Sequence, residues 1–189
     1  LNNGLIKKHF CRKGAMHFLG DKYFFYGLKN TRPIREHKNY MDFIQIVQNS
    51  KNDWIIDKVE LCTPIFSYII RNRFFYTGDI ILSKILGETL DLALKRKEKS
   101  NLEEQLGLCF KFMFENGVYN FDMNLKNIII NYEANKISFI DFDKVMINTA
   151  KRNSKLNSSQ VISKFRDSLK KHDLFTSFVW KKFLRAIEN

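Results

Sequence analysis

The sequence predicts a two-lobed α+β fold on three observations. Segments rich in branched and aromatic residues lie mainly before residue 86, helical patterns lie mainly after it, and one apolar hairpin interrupts the second half. The chain of 189 residues is long enough for one large domain or two small lobes sharing a cleft. The expected division is residues 1–86, strand-rich with one helix, and residues 87–189, mainly helical. No internal repeat suggests another plan.

Residues 4–10, "GLIKKHF", read as a short strand. "NTRPIREHKNYMDFIQIVQNS" reads as a helix: Pro33 suits its first turn, and Ile34, Tyr40, Met41, Ile44 and Val47 recur at helical spacing. "IIDKVELCTPIFSYII" and "NRFFYTGDIILSKI" read as strands parted by a polar turn, with a loop at Gly87 beyond. "NLEEQLGLCFKFMFENG" is the clearest helix, with Asn101 as cap, Glu103 and Glu104 near its positive end and Gly117 as its stop. "KNIIINYEANKISFIDFD" reads as a hairpin around "EANK", and the segment from Asn153 to Asn189 closes the chain with helices.

Composition narrows the partners. Apolar residues make up 44% and charged residues 28%, a foldable balance, and 18 phenylalanines against two prolines imply well-filled cores. A formal charge of +12 favours an anionic partner: nucleic acid, a phosphorylated substrate or an acidic membrane surface. A merely lysine-rich solvated surface would give the same number. Nucleic acid is not the expected partner, because the chain lacks interleaved aromatic-basic motifs, RGG runs or a recognisable module. Cys11, Cys62 and Cys109 are odd in number and widely spaced, which points to buried, reduced thiols rather than a disulfide frame or zinc site. No apolar run approaches the roughly 18 residues that cross a bilayer. The pattern opens at Leu1 without a methionine, so a preceding segment is expected.

Within "GVYNFDMNLKNIIINYEANKISFIDFDKV", residues 117–145, Asp122, Asn127 and Asp141 stand beside strongly apolar runs. Turn hydrogen bonds could account for each alone. Their order suggests chemistry. Phosphoryl transfer from ATP needs positioned charge and bound magnesium more than covalent work by the protein. One carboxylate must accept or orient the proton of the attacking hydroxyl; an amide oxygen and a second carboxylate must hold the metal against the triphosphate. Asp122 and Asn127 have the D-x-x-x-x-N spacing of a kinase catalytic loop, and Asp141 stands at a strand end like the metal-binding aspartate of D-F-G. A hairpin between them would bring both ends together.

Such a site also needs a strand lysine for the phosphates, paired with a helix glutamate. "LIKKHF" offers Lys7 and Lys8, and "TRPIREH" offers Glu36. Side chains alternate along a strand, so one lysine points into the cleft. Lys7, sharing a face with Leu5, is the preferred candidate and Lys8 the other.

These residues resemble the 3-deoxy-D-manno-octulosonic acid (Kdo) kinases, of the lipopolysaccharide core kinases within the protein-kinase-like superfamily. The resemblance runs from about residue 4 to the C-terminus. It rests on Arg12–Gly14, Asp21–Tyr23, Thr31–Glu36, Asp122–Asn127 and the D-F-D of Asp141–Asp143, with "YTGDIILSKI" similar to the hinge strand and "SKFRDSLKK" to the basic tail helix. It implies a protein-kinase-like fold and transfer of the γ-phosphate of ATP to the 4-hydroxyl of Kdo on a Kdo-lipid A precursor. The place implied is the anionic cytoplasmic face of a Gram-negative inner membrane, with the protein peripheral; a monomer is expected. Asp122 would be the base and Asn127 and Asp141 the Mg2+ ligands. Lys7 or Lys8 would hold ATP, with Glu36 orienting it. Arg12, Lys13, Arg32 and Arg35 would be acceptor-side cations.

The chain departs from the family at Asn120 and Phe114, where histidines are usual, and at "RKG", which keeps only Gly14 of an R-G-G turn. The upstream strands and glycine-rich loop that cover ATP would lie before Leu1. Two other readings therefore stand beside the first: a phosphotransferase for another sugar or small hydroxyl compound, and a degenerate kinase-like nucleotide-binding module.

Overall fold

The computed structural model describes residues 4–11, 19–96, 101–147 and 154–188. Its first half is an antiparallel sheet. Strands β1 (Leu5–His9) and β2 (Tyr23–Phe24) pair with one edge of β4 (Phe75–Ser83), and β3 (Pro64–Asn72) pairs with the other. Register places Lys8 opposite Ile80 and Lys7 opposite Ile81, so the two lysines emerge on opposite faces.

Helix α1 (Arg32–Gln48) lies against this sheet. Pro33 occupies its first turn, as the sequence implies, because a missing N–H costs nothing there. A Cβ on Gly78 would stand 3.0 Å from Pro33 Cγ and 2.4 Å from the Tyr68 carbonyl oxygen, so only glycine lets helix and strand come this close. The apolar face of α1 buries Tyr40, Phe43, Ile44 and Val47, while Met41 stays exposed.

The expected strand over residues 55–70 divides. Its first part belongs to helix α2 (Asp53–Lys58), capped by the Asn52 side chain accepting from the Ile55 amide at 3.2 Å. Val59 makes only a parallel bridge to Ile137, and β3 begins at Pro64. A short apolar run has no decisive period, and the polar cap decided the outcome.

The second half is built on helix α4 (Leu102–Glu115), with β5 (Glu88–Thr89), α3 (Leu90–Lys95), α5 (Ser154–Lys171) and α6 (Trp180–Glu188) around it. Asn101 precedes α4 without a side-chain capping bond, while Glu103 accepts from the Val179 amide at 3.3 Å and ties α4 to the start of α6. Phe110 meets Phe139, Phe165 and Phe183 with ring centroids 5.1–6.2 Å apart, whereas Phe24, Phe66 and Phe74 are exposed, so only part of the phenylalanine excess fills the core. Cys62 and Cys109 are buried, whereas Cys11 is exposed, contrary to the expectation of three buried thiols. Among the described residues no helix is long and apolar enough to cross a membrane.

Two small ladders set the site. The hairpin of β7 (Ile128–Asn131) and β8 (Lys136–Phe139) pairs Ile128 with Phe139. The ladder of β6 (Val118–Asn120) and β9 (Val145–Ile147) pairs Asn120 with Val145. Asp122 follows β6 by two residues, Asn127 precedes β7, and Asp141–Asp143 lie between β8 and β9. Backbone pairing therefore draws three sequence-distant segments to one end of the two ladders.

Candidate active site

The ladders continue as hydrogen bonds through the loops. The Ile140 amide donates to the Asn127 carbonyl at 2.9 Å, extending the hairpin to within one residue of Asp141. Asn127 Nδ2 donates to the Asp122 carbonyl at 2.9 Å, closing the loop from the catalytic-aspartate candidate to the amide candidate. Asn124 Nδ2 donates to the same carbonyl at 3.0 Å, and the Leu125 amide donates to Ser168 Oγ at 3.1 Å, fastening the loop to α5.

Asn120 is fully buried and joins both halves. Its side-chain oxygen accepts from the Asp122 amide at 2.9 Å, and its Nδ2 donates to the Asp141 carbonyl at 3.4 Å. An amide is short but has both donor and acceptor, so it ties the two segments from the position where the resembled family carries histidine.

Asp141 has φ of 62°, a left-handed backbone that aspartate tolerates better than most side chains. Both sides of that residue are held: its amide donates to Tyr40 Oη at 2.9 Å, and its carbonyl accepts from Asn120. Phe142 is fully buried between Tyr40 and Phe43, with centroids 4.5 and 5.1 Å away. Asn39 Nδ2 reaches the Phe142 and Val145 carbonyls at 2.9 and 3.1 Å. Helix α1 thus grips the D-F-D segment along its length.

Lys8 meets this assembly from the sheet. Its Nζ lies 2.8 and 2.7 Å from the Glu36 oxygens and 2.9 Å from Asp141 Oδ1. The preference for Lys7 is reversed: Lys7 pairs with Asp79 at 3.0 Å on the opposite face, half exposed. The alternation was sound, but Leu5 was a poor guide to the inner face, which Ile80 and Phe10 mark instead.

Charge and burial compete within the cluster. Burial disfavours the Glu36 carboxylate and outweighs the pull of Lys8, raising its pKa to about 7, with Asp141 and Asp143 adding to the rise. Burial also opposes the Lys8 ammonium, yet Glu36 and Asp141 together hold it above its ordinary value. Burial thus sets the direction for Glu36, and the two carboxylates set it for Lys8.

A second cluster sits at the start of α1. Asp143 accepts from Arg32 Nε at 2.9 Å, from Arg32 Nη2 at 2.5 Å and from Arg35 Nη2 at 2.9 Å. Although burial works against it, the Arg32 and Arg35 contacts keep the Asp143 carboxyl below its usual range. Arg32 and Arg35 are therefore engaged with Asp143 and are not simply free cations on the acceptor side. Arg12, Lys13 and Gly14 lie outside the described residues. Tyr40 and Asn39 escaped sequence reasoning as site residues, since Tyr40 looked like core and Asn39 carried no motif; Asn120 entered it only as a departure from the family's histidine.

Lys8, Asn127 and Asp141 line one cleft of about 450 Å³ that Lys7 and His9 of the same strand also border, with apolar walls from Ile6, Tyr40, Leu82, Ile85, Ile129 and Ile140. Apolar walls around a few convergent polar groups suit a planar base with a polyanionic tail. Asp122 Oδ2 is exposed beside Lys144 Nζ at 3.1 Å. Among the described residues no group of three or more His, Cys, Asp and Glu side chains could hold a metal ion. The amide and carboxylate of Asn127 and Asp141 fit a hard cation that takes its remaining oxygens from phosphate and water, as magnesium does.

Mixed helix and small antiparallel sheets, a lysine–glutamate pair and two loops meeting at a cleft define a two-lobed protein-kinase-like fold. The lipopolysaccharide kinase (Kdo/WaaP) family model matches residues 2–186, and the chain belongs to that family. Among solved structures it is similar to WaaP in complex with acyl carrier protein, at 13% identity and a TM-score of 0.56, covering 82% of this chain. The match covers 65% of that protein's chain. No curated protein sequence matches this chain.

Proposed function

We propose that this protein transfers the γ-phosphate of ATP to a hydroxyl of a lipopolysaccharide precursor, with the 4-hydroxyl of Kdo on Kdo-lipid A precursor as acceptor. Residues up to Leu86 form the nucleotide-covering lobe and those from Gly87 the catalytic lobe. The observation that carries the reading is the convergence of Lys8, Asn127 and Asp141 on one cleft, with Asp122 bound to Asn127 through its backbone.

Lys8 holds the phosphates, and Glu36 fixes its direction. Asn127 and Asp141 would hold Mg2+, whose charge offsets that developing on the transferring phosphoryl group. Asp122 orients the acceptor hydroxyl and takes its proton. Lys144, 3.1 Å from that carboxylate, steadies it before the acceptor arrives. The protein works at the cytoplasmic face of the inner membrane as a peripheral monomer, where a net charge of +12 favours anionic headgroups.

The test is incubation with Mg-ATP and Kdo-lipid A precursor, followed by mass spectrometry for one added phosphate, alongside Asp122→Ala. The expected result is a single adduct that the substitution abolishes. A folded, ATP-binding sample giving no adduct moves the acceptor to another hydroxyl compound, and turnover unchanged in Asp122→Ala removes that residue from the chemistry.

A further inference from the structure

One end of the sheet carries a patch that phosphoryl transfer does not use. The β3–β4 turn, where Arg73 adopts φ of 49°, lies beside the segment that follows β2. The Phe25 amide donates to the Phe74 carbonyl at 2.7 Å, and the Phe24 and Phe75 rings sit 4.9 Å apart, so the two segments form one surface. From it Tyr26 and Phe74 project at 76% exposure each, with Ile70 at 64%. Large apolar side chains this exposed and this close together mark an interaction site.

Its charge is mainly of one sign. Lys22, Arg71 and Arg73 are exposed on these two segments, no Asp or Glu occurs from Lys22 to Arg35 or from Leu61 to Gly78, and Asp21, just before Lys22, lies 3.4 Å from His9. The Arg71 guanidinium lies 4.3 Å from the Phe25 ring centroid, an apolar stem and ring beneath a charged tip. Lys22, Ile70, Arg73 and Phe74 also border a concavity of about 480 Å³ with both cationic and apolar walls.

We propose that the β3–β4 turn and the segment after β2 form a docking surface for an anionic lipid bilayer. The inference deepens the reading of a membrane-borne acceptor and rests on it for its purpose. Aromatic rings flanked by lysine and arginine match the depth profile of a headgroup layer, where rings sit at the interface and cations meet phosphate. A second copy of this chain is a poorer fit, since self-pairing would set two mainly basic patches together.

Position supports the assignment. The Arg32 amide donates to Tyr76 Oη at 2.8 Å, so this end of the sheet adjoins the Arg32–Asp143 cluster. Strand β4 runs from there to Ser83, roughly 25 Å away at the rise of an extended chain, before reaching Gly87. A bilayer at the turn would therefore face the D-F-D side of the cleft and not the Lys84–Gly87 side.

The test is co-sedimentation of the full chain, without nucleotide or metal, with vesicles of phosphatidylglycerol and phosphatidylethanolamine or of phosphatidylcholine alone. Binding is expected on the anionic vesicles only and should weaken with salt. Tyr26→Ser with Phe74→Ser should lower partitioning about tenfold or more, and Arg73→Glu about tenfold. Thermal melting of each variant checks its fold. Equal binding by parent and variants, or no binding by the parent, overturns the proposal. So does a concentration-dependent dimer that the Tyr26→Ser, Phe74→Ser variant abolishes, because the patch would then hold a second copy. Failure here leaves phosphorylation of a water-soluble Kdo glycoside intact, whereas failure of the functional reading leaves vesicle binding intact.

Discussion

The Lys8 ammonium lies 2.9 Å from Asp141 while also bonding both oxygens of Glu36. A single side chain thus connects sheet, helix α1 and D-F-D segment, and its position reports whether all three are in place.

The first prediction separates the two lysines of β1. Lys8→Ala should lower kcat/KM for ATP by roughly a hundredfold or more, the usual scale for removing a preorganised charge. Lys7→Ala should change it only a few-fold, because Lys7 pairs with Asp79 on the other face. Initial rates of phosphate incorporation decide the matter, and equal losses would refute the assignment.

Much of this arrangement was legible beforehand, for a physical reason. The β7–β8 hairpin and the loops beside it are local, so spacing alone placed Asn127 and Asp141 at one end of it. What sequence could not supply was long-range partnership. Asn120 acts through an amide that any turn could have used, and Tyr40 reads as core until its hydroxyl is seen accepting from Asp141. Arg32 and Arg35 looked like surface cations because their partner, Asp143, lies more than a hundred residues away.

The second prediction concerns pH. Burial raises Glu36 to about 7, so the folded chain binds this proton more tightly than the unfolded chain does. Its contribution to stability is full below the ordinary glutamate range near pH 4.5 and is lost as pH rises through about 7. Activity should run the other way, since the charged carboxylate orients Lys8, giving an acid limb with an apparent pKa near 7. Glu36→Gln should flatten both the fall in melting temperature across this range and the acid limb. An unchanged limb would assign it to another group.

The third prediction concerns the α1 clamp. Asp143→Ala deletes the acceptor of three arginine hydrogen bonds at a residue only 5% exposed and should cost about 2 to 3 kcal/mol. Arg35→Ala should cost less than about 1 kcal/mol, since Arg35 is nearly half exposed. Urea unfolding of both variants gives the comparison, and equal costs would place the clamp's energy elsewhere.

The last prediction turns on a sign. Gly107 lies within α4, where exchanging glycine for alanine ordinarily stabilises a helix by about 1 kcal/mol. Here the added Cβ would stand 2.5 Å from the Phe183 carbonyl oxygen and 2.6 Å from Ala186 Cβ, both on α6. Neither atom is the free end of a flexible side chain, so α6 would have to move and would carry Phe183 out of its contact with Phe110. Overpacking of this kind costs about 1 to 3 kcal/mol and should outweigh the propensity gain. Gly107→Ala is therefore expected to lower the melting temperature, whereas a rise would mean that α6 does not dock against this turn of α4.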